Sequence, residues 1–235
     1  MASDTVLRAL SEIKKGHFVL VYDADGREEE TDMVIASEFV TSSAIRTLRK
    51  TAGGLICTTA DPAIRQSLGL PFLTEVFAGM SEEYPVMKGL TPNDIPYDVK
   101  SAFGITINHR KTFTGITDDD RALTIIEFAK LARTAVAQGD GWGKRELGKN
   151  FRAPGHVHLL NTSDNILETR FGHTELTTAL VMMTGLVPSA TICEMMGDDG
   201  RALSKEAART YAEKHDLVFI EGKDVIDAWK EFRKG

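Results

Sequence analysis

The sequence predicts a single α/β domain over residues 1–235, with a mixed β-sheet and helices packed on its faces. Three observations carry this expectation. Apolar strand-like runs alternate with helix-patterned segments along the whole chain. A short acidic stretch joins two of the strand-like runs in the manner of a hairpin, which breaks a purely parallel βαβ pattern. The chain is 235 residues long and 42% hydrophobic, enough to bury a sizeable core.

Val6, Leu7, Leu10 and Ile13 recur at helical spacing, so residues 3–15 read as a helix, capped by Ser3 or Asp4 and stopped at Gly16. Residues 17–22 (HFVLVY) and 33–39 (MVIASEF) are strands on either side of the acidic stretch. Thr41 or Ser42 then opens a helix that runs to Gly53, and residues 54–60 form an apolar strand. Asp61 and Pro62 start a short helix as cap and first helical residue, and Gly69 ends it. Pro71, Pro85, Pro92 and Pro96 interrupt residues 71–100. The apolar bulk there, including Phe72, Phe77 and Tyr84, predicts a long loop packed within the domain. Residues 103–109 are the next strand, followed by a helix carrying Leu123, Ile126, Phe128 and Leu131. Residues 138–149 read as a glycine-rich polar connection. A strand (156–161), a helix (174–184), a strand (190–195), a helix (204–215), a strand (217–220) and a helix from Asp224 complete the chain.

The formal net charge of −6 argues against nucleic acid or an anionic membrane as the main partner, since both need a basic footprint. Cys57 and Cys193 are far apart in apolar runs, which predicts neither a disulfide framework nor a zinc site and makes a reducing cytoplasm the expectation. The first residues lack the apolar core of a signal peptide, and no apolar run reaches the roughly 18–20 residues that span a bilayer. No glycine-rich nucleotide motif is present.

The chemistry centres on YDADGREEETD (22–32), where Asp23, Asp25, Glu28, Glu29, Glu30 and Asp32 crowd around Arg27. Neighbouring carboxylates oppose one another's ionisation, and a hard cation such as Mg²⁺ or Mn²⁺ relieves that conflict. A solvated acidic turn is the alternative. TFTGITDDDRA (112–122) precedes a helix, and its free N–H groups suit a phosphate, although a helix start capped by acids accounts for it as well. His156 and His158 alternate with Val157, so both rings share one face of a strand. Arg170, His173 and Thr174 fall at helical spacing and could grip phosphate and metal together, unless Arg170 is only a surface residue. Glu194 lies in an otherwise apolar strand, where a carboxylate is costly unless paired or functional. Cys57 reads as a small buried hydrophobe.

Taken in order, REEETDM (27–33), TGITDDDRALTI (114–126), PGHVHLL (154–160), RFGHTEL (170–176) and CEMMGDDG (193–200) resemble the 3,4-dihydroxy-2-butanone 4-phosphate synthase family of riboflavin biosynthesis, in its stand-alone form. The resemblance implies conversion of ribulose 5-phosphate to 3,4-dihydroxy-2-butanone 4-phosphate and formate by a lyase. It implies Mg²⁺ or Mn²⁺, two ions per site, and a homodimer with sites at the subunit interface. Glu28 and His173 would bind metal. Arg27, Thr114, Arg170 and Thr174 would hold the phosphate, Asp32 would contact the sugar, and Gly172 and His173 would also bind substrate. His156 and Glu194 match essential positions, Glu30 and Asp23 match acidic residues of the loop, and Asp25 and Glu29 are left to solvent. A Mg²⁺-dependent sugar-phosphate phosphohydrolase is the rival enzyme class, and a sugar-phosphate or metal-binding module the rival without catalysis.

Overall fold

The computed structural model describes residues 3–92, 94–139 and 141–234; Asn93 and Asp140, which belong to the stretches 71–100 and 138–149 read above from sequence, lie outside the described residues. Ser3 caps α1 (Asp4–Lys14) by accepting from the Val6 N–H, and Val6, Ala9 and Ile13 form its buried stripe. β1 (Val19–Tyr22) and β2 (Thr31–Ala36) make the antiparallel hairpin that carries the acidic loop. β2 ends earlier than its apolar run. The buried Ser37 turns away to bond Ser189 and Thr191, and Ser37–Phe39 become a 3₁₀ turn. The helix expected up to Gly53 is α2 (Ser42–Thr47), which widens into a π-turn over Leu48–Ala52 before Gly53 stops it in the left-handed region. β3 (Cys57–Ala60) begins later than the 54–60 run expected, whereas α3 (Pro62–Leu68), capped by Asp61 and ended by Gly69, follows as the sequence predicts.

Residues 71–100 are not the packed loop their composition predicts. They contain α4 (Leu73–Gly79) and α5 (Val86–Gly89), and although Phe72 is buried, Val76, Met80, Tyr84, Val86, Leu90 and Tyr97 are exposed. The prolines cut the segment into helices too short to turn one continuous face inward, so apolar content alone does not bring burial. β4 (Phe103–His109) and α6 (Asp118–Gln138), capped by Thr117, agree with the sequence pattern.

Residues 138–149 also depart from expectation, because most of them form α7 (Trp142–Asn150). A Cβ on Gly143 would meet the Ala135 Cβ and the Ser67 carbonyl at 2.7 Å each. That glycine therefore lets α7 press against α3 and α6, a close approach rather than a flexible joint. β5 (Phe151–Asn161) starts before Pro154, because its ladder to β4 resumes at Arg152 and Phe151. α8 (His173–Met183), β6 (Ala190–Glu194), α9 (Lys205–Lys214), β7 (Val218–Glu221) and α10 (Gly222–Phe232) complete the chain.

The seven strands form one sheet in the order β4-β5-β3-β6-β2-β1-β7. It is mixed, with β3 parallel to β5, β1 parallel to β7 and the other pairs antiparallel. One face buries Leu20, Met33, Ile35 and Leu159 against Ile45, Ile64, Ile125 and Phe128 of α2, α3 and α6. The other buries Val21, Val34, Ile192 and Ile220 against Ile13, Leu176, Leu180 and Trp229 of α1, α8 and α10. Alternation along β2 and β6 places Asp32 and Glu194 on this second face, beyond the edge of its apolar cluster. No described helix is long and apolar enough to cross a membrane.

Candidate active site

The acidic loop is folded around Asp23. Its buried carboxylate accepts from the Glu30 N–H at 3.1 Å, the Glu28 N–H at 3.0 Å and Arg27 Nη1 at 3.1 Å. This turns Arg27 and Glu28 towards the N-terminus of α8. Asp25 and Glu29 are exposed, as the sequence predicts, and also fasten the outer edge of the loop. Asp25 accepts from the Tyr22 hydroxyl at 2.7 Å and from Lys205 at 3.3 Å, and Glu29 accepts from the Gly26 N–H at 2.8 Å.

His173, the first residue of α8, faces the loop. Its Nδ1 lies 3.0 Å from Glu28 Oε2, and its Nε2 lies 3.2 Å from the Glu30 carbonyl and 3.7 Å from Asp32 Oδ1. Burial alone would raise the Glu28 pKa, but His173 and Arg27 outweigh it and hold the carboxylate at about 2. Burial would likewise strip the His173 proton, yet Asp32, Glu28 and Asp23 push it up to about 9. Burial pushes Asp32 up to about 8 against the pull of His173, with Glu194 and Glu28 adding to the rise. Glu30 is raised by burial and by Glu28 and Glu194. One group is thus firmly anionic while two carboxyls beside it hold protons more tightly than usual, the division of labour that proton-transfer chemistry needs.

Ligand atoms of Asp23, Glu28 and His173 lie within 4.8 Å of one another. The carboxylate-rich set, with a buried Asp32 oxygen beside it that has no hydrogen-bond partner, fits a hard divalent cation.

Two arginines form the other wall. Arg27 Nη1 is 2.7 Å from Glu28, and Arg170 is paired to the buried Glu175 of α8. Arg170 precedes the helix rather than sharing its spacing with His173 and Thr174, because α8 begins only at His173. Gly172 is what allows both guanidinium groups in: a Cβ there would stand 2.6 Å from Arg27 Nη2 and 2.7 Å from Arg170 Nη1. Thr174 is buried in the first turn beside them. Arg27, Glu28, Glu30, Asp32, Arg170, His173, Thr174 and Glu194 all line one cleft of about 290 Å³. Glu194 is half-buried at the end of β6 and accepts from the Leu55 N–H at 2.7 Å.

Thr114 and His156 do not line that cleft. They form a second group, organised by Asn108 of β4. Asn108 Nδ2 lies 3.0 Å from His156 Nδ1 and 3.4 Å from the Thr114 carbonyl, and Oδ1 accepts from the His156 N–H at 2.9 Å. His156 is exposed, and this β4–β5 margin of the sheet also exposes Phe113 (93%) and Ile116 (50%). The start of α6 is occupied by its own acid, since Asp120 accepts from the Gly115 N–H at 2.8 Å.

Sequence reasoning missed Asn108, Glu175, and the residues Tyr97, Asp98 and Lys100 that line the cleft. An irregular loop has no periodicity to mark which side chains turn inward.

Cys57 lines the cleft and Cys193 is fully buried. Burial, reinforced by Glu194 and Asp32, pushes the Cys193 thiol up to about 12 and raises Cys57 well above its usual range. Because the thiolate is the reactive form, neither cysteine should react with an aromatic disulfide reagent at pH 8 until the protein is unfolded. Stoichiometric labelling of the native protein would contradict this.

The family model for 3,4-dihydroxy-2-butanone 4-phosphate synthase matches residues 7–228. A protein of that name from Methanothermobacter thermautotrophicus is 48% identical over 229 residues, covering 97% of both chains. One from Methanosarcina mazei is 39% identical over 231 residues, 97% of this chain and 92% of that one. A crystal structure of a 3,4-dihydroxy-2-butanone 4-phosphate synthase in complex with two magnesium ions superposes with a TM-score of 0.75 at 26% identity, covering 97% of this chain and 98% of that one. A cation-free crystal structure of that enzyme gives 0.74 at 25% identity.

Proposed function

Because the chain belongs to the 3,4-dihydroxy-2-butanone 4-phosphate synthase family, lyases of riboflavin biosynthesis, we propose that it converts D-ribulose 5-phosphate to L-3,4-dihydroxy-2-butanone 4-phosphate and formate. The observation that carries this reading is the meeting, in one cleft, of the Glu28–His173 pair at 3.0 Å with the guanidinium groups of Arg27 and Arg170. One wall suits a metal and the other a phosphate. The two products together contain every atom of the substrate, so the reaction consumes no oxidant, nucleotide or water.

Glu28 and His173, with Asp23 beside them, would hold Mg²⁺ or Mn²⁺, two ions when the site is full. A cation there supplies positive charge to substrate oxygens that become anionic as the ketone enolises. Arg27, Arg170 and Thr174 hold the phosphate, and the bidentate forks of the arginines fix its orientation. Asp32 contacts the sugar hydroxyls. Glu30, whose carboxyl is raised by burial and by Glu28, takes the proton next to the ketone. Glu194 stands opposite Asp32 in the β2–β6 ladder, within reach of a proton released later in the rearrangement.

Thr114 and His156 serve a second copy of the chain. They lie outside the cleft of their own protomer, on a margin whose exposed Phe113 and Ile116 suit burial in a homodimer. Each site is then finished by its neighbour's β4–β5 edge.

Treatment with EDTA should abolish consumption of ribulose 5-phosphate, and added Mg²⁺ should restore it. Turnover that survives EDTA would remove the cation from the reaction, and no turnover under any condition would favour a binding module.

A further inference from the structure

We propose that Asp98 is an internal stand-in for the substrate's phosphate: it bridges the two arginines and must be displaced before an anion can bind. This rests on the reading that Arg27 and Arg170 hold the phosphate. Arg27 Nη2 donates to Asp98 Oδ2 at 3.1 Å, and Arg170 Nε makes an ion pair with the same oxygen at 2.5 Å. A single carboxylate oxygen therefore joins a guanidinium from the acidic loop to one from the approach to α8. The Asp98 side chain is only 13% exposed, although the neighbouring Val99 is 97% exposed. Tyr97 adds a second contact from the same segment, with the Arg27 guanidinium 5.4 Å from its ring centre.

Asp98 is the partner each arginine can lose. Arg27 keeps Asp23 and Glu28, and Arg170 keeps Glu175, all on the hairpin or on α8. Among the described residues, no backbone–backbone hydrogen bond ties 94–101 to the rest of the chain, and Lys100 anchors the segment through Glu75 at 3.3 Å. A phosphate monoester brings close to two negative charges and three acceptor oxygens to the arginines, where Asp98 brings one charge. A dianionic phosphate thus displaces the plug, while an unphosphorylated sugar has nothing with which to do so. Asp98 makes the cleft select for the phosphorylated end of its ligand.

The cost is lower apparent affinity, by the fraction of molecules whose arginines are free. Titration calorimetry of the full-length protein with inorganic phosphate tests this across wild type, Asp98→Asn, Asp98→Ala and Arg170→Lys. Both Asp98 variants should bind phosphate roughly tenfold more tightly than wild type, as expected if about nine-tenths of molecules are plugged. Arg170→Lys, which retains a charge for Glu175 but loses the fork, should bind more weakly. Unchanged or weaker binding in both Asp98 variants, with Arg170→Lys weakened, would overturn the plug and leave the phosphate site standing. Unchanged binding in Arg170→Lys would remove the phosphate site and the plug with it.

Discussion

Glu28→Gln is expected to fold normally and to lose turnover of ribulose 5-phosphate by on the order of 10³-fold or more, the several kcal/mol that a correctly held cation supplies. Glu28 lies 3.0 Å from His173 and 2.7 Å from Arg27, and those two hold it ionised against the effect of burial. It is therefore anionic at any pH used for assay, as a cation ligand must be. Glutamine preserves volume and can still accept from His173, but it brings no charge. The backbone of the loop is organised by Asp23 rather than by Glu28, so the melting temperature should shift by only a few degrees. Steady-state rates across a Mg²⁺ titration, paired with thermal melts, check both halves. A folded variant turning over at the wild-type rate would end the assignment of Glu28 to the metal.

His156→Asn should also be inactive, and mixing it with Glu28→Gln should restore activity. If His156 completes the partner's site, a mixed dimer has one site carrying both defects and one carrying neither. Random exchange would then recover about one quarter of wild-type activity from two inactive proteins, because half the dimers are mixed and each has one intact site. If His156 worked within its own protomer, each site in the mixed dimer would carry one defect and nothing would return. The placement of His156 with Asn108 at 3.0 Å, outside the cleft, is what makes recovery the expected result.

The candidate site was legible where function demands unusual residue types. The crowded carboxylates of residues 22–32 and the glutamate ending an apolar strand are costly arrangements, and the structure gathers Glu28, Asp32, His173 and Glu194 around one cleft. Caps were legible for the same local reason: Ser3 and Asp61 each accept from a backbone N–H three residues further on. What escaped depends on distant partners. Gly143 reads as flexibility until Ala135 and Ser67 are seen against it. Asp98 reads as one polar residue in an irregular loop until two arginines converge on it. Asp25 and Glu29 look free in sequence, but Lys205 lies 180 residues from Asp25 and still reaches it.

The most direct measurement is of products. Purified protein is incubated with ribulose 5-phosphate and Mg²⁺, and formate and inorganic phosphate are quantified together over time. Formate should appear equimolar with the substrate consumed, with phosphate retained on the four-carbon product and no free inorganic phosphate. Inorganic phosphate without formate would contradict it and identify the cleft as that of a phosphohydrolase.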